Sequence, residues 1–272
     1  MHQTWIVLKE AAVLWYDRDG DRNAAVVSYY LVFALVPLIL AVVTLVGIIF
    51  GERFVIEVLT GWGTVLGPDL VGLIDAAVKN LRALSYEFSI PLVATLFFLG
   101  ITIEAFNEFA QGLHTLWGVP YQGFKGYVKK CLSSVLFIIF LCVFVSLYIT
   151  VGASVTAVSN TAAGNGIPGL FLMSTLGFVI SLFFLTLLFA VAYRMLPRSS
   201  PPFGSIMVGA LVSALLFSAS KAMVALYLSV TPVPSLYGAA GLLLVLLIWI
   251  FASACILYFG AAVAYTHAKY LS

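Results

Sequence analysis

Charge is what this sequence has least of. Aspartate, glutamate, lysine and arginine make up 9% of its 272 residues, against about 25% in a soluble globular domain. The formal net charge is only +2, and no dense basic run stands outside short loops, which excludes nucleic acid as a partner. Cysteine is nearly as scarce. Cys131, Cys142 and Cys255 are odd in number and never in CxxC spacing, so small buried thiols are expected rather than disulfides or metal ligands. His2, His114 and His267 sit at span ends or termini and form no cluster at ligand spacing, so no metal is expected. The nucleophile-elbow, zinc-helix and phosphate-loop patterns are missing from any fitting context. Neither an enzyme nor a bound cofactor is expected.

What fills the space is hydrocarbon. Hydrophobic residues make up 63% of the chain and mean hydropathy is +1.13, which places it in the membrane class. Six apolar runs, about 24–50, 89–109, 132–158, 170–193, 205–229 and 236–264, each meet the roughly 20-residue requirement for crossing a bilayer. The expected fold is all-α: a polytopic integral membrane protein with six transmembrane helices and interfacial amphipathic helices. The first run exceeds the 7–15 apolar residues of a signal peptide, so it reads as a retained span.

Two segments are too amphipathic to span. In residues 1–22, Trp5, Leu8, Ala12, Trp15 and Tyr16 recur at helical spacing, which predicts a short helix on the membrane surface or packed as an ordinary N-terminal helix. Residues 23–272 then form the membrane domain. Within the 51–88 loop, Leu70, Leu73, Ile74, Ala77, Leu81 and Leu84 share one face and Asp75 and Lys79 pair on the other, predicting a helix over about 68–85. Lysine and arginine fix the orientation. Nine lie on one side of the predicted spans and three, Arg53, Lys79 and Arg82, on the other, which puts both termini in the cytoplasm.

One full charge, Lys221, falls inside a span. Its helix carries Ala210, Ala214, Ser218 and Ala222 at four-residue steps, a face that lets a neighbouring helix come close. That face would serve a homo-oligomer as well as the monomer core. Lysine in hydrocarbon costs at least about 2.5–3.5 kcal/mol on insertion scales, so it should point into the bundle or into water. Ser218 and Tyr227 are expected partners, with Tyr30 and Tyr237 lining the same cavity, and Pro37 and Gly238 serve as flexible points. A second polar feature is the stripe Glu104, Asn107, Glu108 and Gln111. Its plainer reading is a polar helix end near the headgroups, with Lys125 or Lys129 for partners. At 1.5 Å per residue, Glu104 and Lys221 differ in depth by roughly 10–15 Å, which argues against a direct pair.

Several ordered stretches together resemble the YihY/BrkB family of bacterial inner-membrane proteins. They are Ser28-Tyr29-Tyr30 followed by Pro37-Leu38; Leu116-Trp117-Gly118-Val119-Pro120; Tyr193-Arg194-Met195-Leu196-Pro197; Gly209-Ala210-Leu211-Val212; Lys221 with Leu226-Tyr227-Leu228; and Leu236-Tyr237-Gly238. The chain departs from that pattern at His114, Ala34 and Ala262, where an asparagine, a serine and an acid are usual. The resemblance implies six spans and an envelope role in the bacterial inner membrane.

The function expected is binding and translocation of an amphipathic or anionic substrate, with membrane lipid as the natural partner. Two alternatives remain. One is a non-transporting scaffold acting through loop 51–88; the other is a proton- or ion-coupled carrier or channel using Glu104 and Glu108.

Overall fold

The structure, a computed structural model, describes residues 2–34, 89–119, 124–162, 167–197, 200–230 and 233–271. These residues form helices and no strand. In chain order they are α1 (His2–Asp17), α2 (described over 20–34), α3 (Ser89–Trp117), α4 (Phe124–Ala162), α5 (Ile167–Met195), α6 (Phe203–Val230) and α7 (Val233–Leu271). Pro37 and the predicted loop helix over 68–85 lie outside the described residues.

Among the described residues four stretches are long and apolar enough to cross a bilayer: Cys131–Gly152, Thr175–Met195, Phe203–Val224 and Leu244–Tyr270. Helices α4 to α7 outrun the predicted spans at both ends, and α3 at its C-terminal end. The third predicted span, 132–158, lies within a helix of 39 residues, about 58 Å long at 1.5 Å per residue. Hydropathy marks where a span meets water, not where the backbone stops turning. Proline explains three of the starts. Pro91, Pro168 and Pro234 stand in the first turns of α3, α5 and α7, where the missing N–H is an orphan anyway.

The chain divides into two compact units, residues 1–32, 103–137 and 179–272, and residues 33–102 and 138–178. The first unit is built around α7. Its tightest joint is with α6, where Gly209 and Gly260 bring the two backbones together. A Cβ on Gly260 would overlap Ser213 Oγ and stand 2.8 Å from both Gly209 O and Tyr193 OH. One on Gly209 would overlap Gly260 O and stand 2.7 Å from Ala264 Cβ. Tyr193, fully buried, ties α5 into the joint: its hydroxyl donates to Leu257 O at 2.6 Å and lies 2.7 Å from Ser213 Oγ. The predicted small face is present in its first half, with Ala210 and Ala214 both 0% exposed.

Helices α3 and α1 also attach to α7. Trp117 Nε1 donates to Ala261 O at 3.1 Å, and Tyr258 OH donates to Phe109 O at 3.3 Å, which requires a glycine at position 112 beneath the Tyr258 ring. A reciprocal cap closes α3: Val119 N bonds His114 O and Gly118 N bonds Thr115 O, with Gly118 at φ 67°. That is the double bond pattern of a left-handed C-terminal cap, and Arg18 adds a third bond from its guanidinium to Thr115 O at 3.0 Å. Helix α1 packs along α7 through Val7 and Ala11. It breaks at Arg18–Asp19, Asp19 adopting φ 52°, before the backbone resumes as α2 with the Trp15 ring over Gly20.

The second unit contains the outer stretch of α4, where Ser146 donates to Cys142 O and Thr150 to Ser146 O. Such back-bonding satisfies hydroxyls without leaving the helix. Ile139, Val143 and Leu147 on the same helix are exposed, as a lipid-facing side should be.

The glycine joint makes a direct prediction. Gly260→Val should lower the stability of the detergent-solubilised protein by about 1–3 kcal/mol or more through overpacking against backbone. Gly177→Ala, where an added Cβ meets nothing within 4 Å, should be neutral or stabilising by up to about 1 kcal/mol. Thermal unfolding of the two variants side by side checks both.

Candidate functional site

The face of α6 that meets α7 can be followed residue by residue. Ile206, Ala210, Ser213 and Ala214 are all 0% exposed. Lys221 follows Ala214 by seven residues, two turns, and therefore lies on the same face. There the face is no longer sealed: Lys221 and Ala222 are exposed, while Ser218 is half-buried. Among the described residues Lys221 has no hydrogen-bond or ion-pair partner. The small-residue stripe thus changes character along its length. Ala210 and Ala214 make contact; Ser218 and Ala222 border open space.

The other residues expected beside Lys221 are placed separately. Tyr30 on α2 is half-buried and packs edge-on against Tyr29, ring centroids 5.7 Å apart. Tyr227 is 52% exposed, one and a half turns beyond Lys221 on its own helix. Among the described residues no hydrogen bond or ring contact joins Tyr30, Tyr227 and Lys221. Tyr237 and Gly238 are described in backbone only, and both lie within continuous helix near the start of α7.

The stripe on α3 becomes a local network. Asn107 is 0% exposed; its Nδ2 donates to Glu104 Oε2 at 3.1 Å and approaches Cys131 Sγ at 3.4 Å, while its Oδ1 accepts from Ser134 Oγ at 2.9 Å. One asparagine therefore links α3 to α4 with donors and acceptor both used, as a buried amide requires. Glu104 and Glu108 are half-buried and Gln111 is exposed. Nearby, Ser133 donates to Met195 O and joins α4 to α5. Sequence reasoning saw the stripe but not its hub. The signal available was the amide itself: Asn107, like Gln111, can donate and accept at once, and it stands between two glutamates.

The joint residues Tyr193, Ser213, Gly209 and Gly260 were not singled out as a set. Tyr193 and Gly209 do stand in the stretches that carry the family resemblance, as do Trp117 and Gly118. Those stretches mark where helices touch.

Taken together, the helices, their apolar exposed faces and their polar joints define a polytopic α-helical membrane protein. The family described as virulence factor BrkB matches residues 14–271; the chain belongs to that family. It is similar to a UPF0761 membrane protein of Pseudomonas paraeruginosa, 26% identical over 255 residues, covering 89% of this chain and 58% of that one. A UPF0761 membrane protein of Azotobacter vinelandii is 26% identical over 253 residues with the same coverage. The UPF0761 membrane protein YihY of Salmonella newport is 35% identical over 83 residues, covering 30% of this chain and 29% of that one. The chain spans 58% of the length of the first two relatives. No solved structure matches it.

Asn107→Ala should destabilise by about 1–3 kcal/mol, because Ser134 and Glu104 lose their buried partner. Combined with Ser134→Ala the loss should be clearly less than additive, which a double-mutant cycle on thermal or denaturant unfolding measures.

Proposed function

We propose that this protein binds and translocates an amphipathic or anionic substrate, a membrane lipid fitting best, in a bacterial inner membrane with both termini in the cytoplasm. The observation that carries the reading is Lys221. It stands on the α7-facing side of α6, two turns beyond a sealed contact, exposed and without a partner among the described residues. A lysine at that position contributes nothing to packing and still costs at least about 2.5–3.5 kcal/mol to insert. An anionic headgroup or a water-filled path is what offsets such a charge. Tyr227 and Ser218 supply hydroxyls on the same stretch of helix, and the positive bias of the loops supports the orientation.

The test replaces the charge and keeps the volume. Lys221→Met should abolish transport or lipid binding in reconstituted vesicles while the protein still accumulates and unfolds at the same temperature or higher. Unchanged activity in that variant, together with loss of function on deleting residues 68–85, would replace this reading with a scaffold acting through its outer loop.

A further inference from the structure

At the end of the first unit that carries both chain termini, a groove of about 580 Å³ runs between α1 and α7. Trp5, Lys9, Glu10 and Asp17 line it from α1, and Tyr265 and Lys269 from α7. Its depth relative to a bilayer follows from two observations. Helix α7 has 39 residues, about 58 Å at 1.5 Å per residue, against a hydrocarbon core of about 30 Å. Its last two turns, with Tyr265 and Lys269, therefore reach headgroup level. Helix α1 agrees. Its Val7 and Ala11 are buried on the protein, whereas Trp5 (69% exposed), Lys9, Ala12 and Tyr16 (76% exposed) share the outward face. Aromatic rings with an interspersed lysine are the composition of a helix lying among headgroups.

The charges in the groove cancel. Lys9, at the outer edge, and Lys269 line it together with Glu10 and Asp17, two charges of each sign. A site for an anionic lipid would be expected to carry net positive charge. Balanced charge suits a ligand that is itself a close cation–anion pair. Tyr270 OH donates to Glu10, and a carboxylate retains further acceptor positions for an ammonium.

We propose that this groove binds the headgroup of a zwitterionic aminophospholipid of the surrounding bilayer, its phosphate toward Lys9 and Lys269 and its ammonium toward Glu10 and Asp17. The site is separate from Lys221 and stands or falls without it, since its readout is headgroup preference and not transport.

Native mass spectrometry of the full chain in detergent, titrated with short-chain phosphatidylethanolamine and phosphatidylglycerol, tests the assignment. The wild type should prefer phosphatidylethanolamine by about five- to tenfold, the scale of one hydrogen bond's net contribution. Lys9→Gln with Lys269→Gln should weaken both lipids. Glu10→Gln with Asp17→Asn should turn the preference toward phosphatidylglycerol, and because all four side chains lie at the groove surface the variants should fold. Soluble glycerophosphoethanolamine, which carries the same phosphate and ammonium, should compete when added in large excess. Equal binding of the two lipids by the wild type, a preference unmoved by the carboxylate variant, binding untouched by the lysine variant, or no competition by the soluble headgroup would each overturn the proposal.

Discussion

The contact between Gly209 and Gly260 sets the geometry of everything attached to it. In lipid, two apolar helices gain little from leaving acyl chains for each other, so association depends on close packing and on hydrogen bonds across the interface. Both are present at this joint. Absent side chains let the backbones touch, and over the seam the Tyr193 hydroxyl donates to Leu257 O while Ser213 Oγ lies 2.7 Å from that hydroxyl and 3.5 Å from Ile256 O. The backbone of α7 then serves as an acceptor along its length. Leu257 O receives Tyr193 and Ala261 O receives Trp117, while Tyr258 returns a donor to Phe109 O. Each carbonyl keeps a second lone pair after its helical bond, so a buried helix can hold its neighbours without a polar side chain of its own at every contact. Ala254, Ala261, Ala262 and Ala264, all 0% exposed, give those neighbours the room.

A joint this tight at one level of α6 leaves a different condition at the next. The face that Ala210 and Ala214 close is open at Lys221. A uniform small-residue stripe would zip two helices together over their full length; here the exposed Lys221, two turns beyond Ala214 on the same face, interrupts it. Packing and opening are thus written on the same helix, and the close contact at the lower level fixes the position from which the upper one departs.

Fold class was legible because it depends on a quantity that sums over many residues. A 63% hydrophobic chain with 9% charge has few options, and hydropathy periodicity located the helices α4 to α7 to within a few residues at most ends. Contacts that depend on one residue were not legible. Gly209 and Gly260 lie 51 positions apart with one glycine contributed by each helix, and no periodicity connects them. Tyr193 looks like an aromatic at a span end until the structure places Ser213 beneath it. On α1 the sequence pointed to Trp5, Leu8, Ala12, Trp15 and Tyr16 as one apolar face, yet the residues that bury are Val7 and Ala11, with Leu8 and Trp15 half-buried. Hydropathy favoured the aromatic side, whereas close packing on α7 selected the small one. The stripe through Asn107 was visible as polarity, but its role as a link to Ser134 needed the second helix.

The same distinction bears on what membership of the family carries. Trp117, Gly118, Tyr193 and Gly209, which mark the resemblance, are joints or caps in the structure. They account for the architecture of this chain, since each sits at a helix contact or a helix end. They say little about activity, which has to be sought among residues that the architecture does not need. Lys221 is such a residue: it seals no contact, caps no helix and partners no described side chain. Its insertion cost falls on the folded state without any packing return in the first unit. A group that stability alone would remove, standing where the helix face opens, is the place at which selection for stability and selection for function can be told apart.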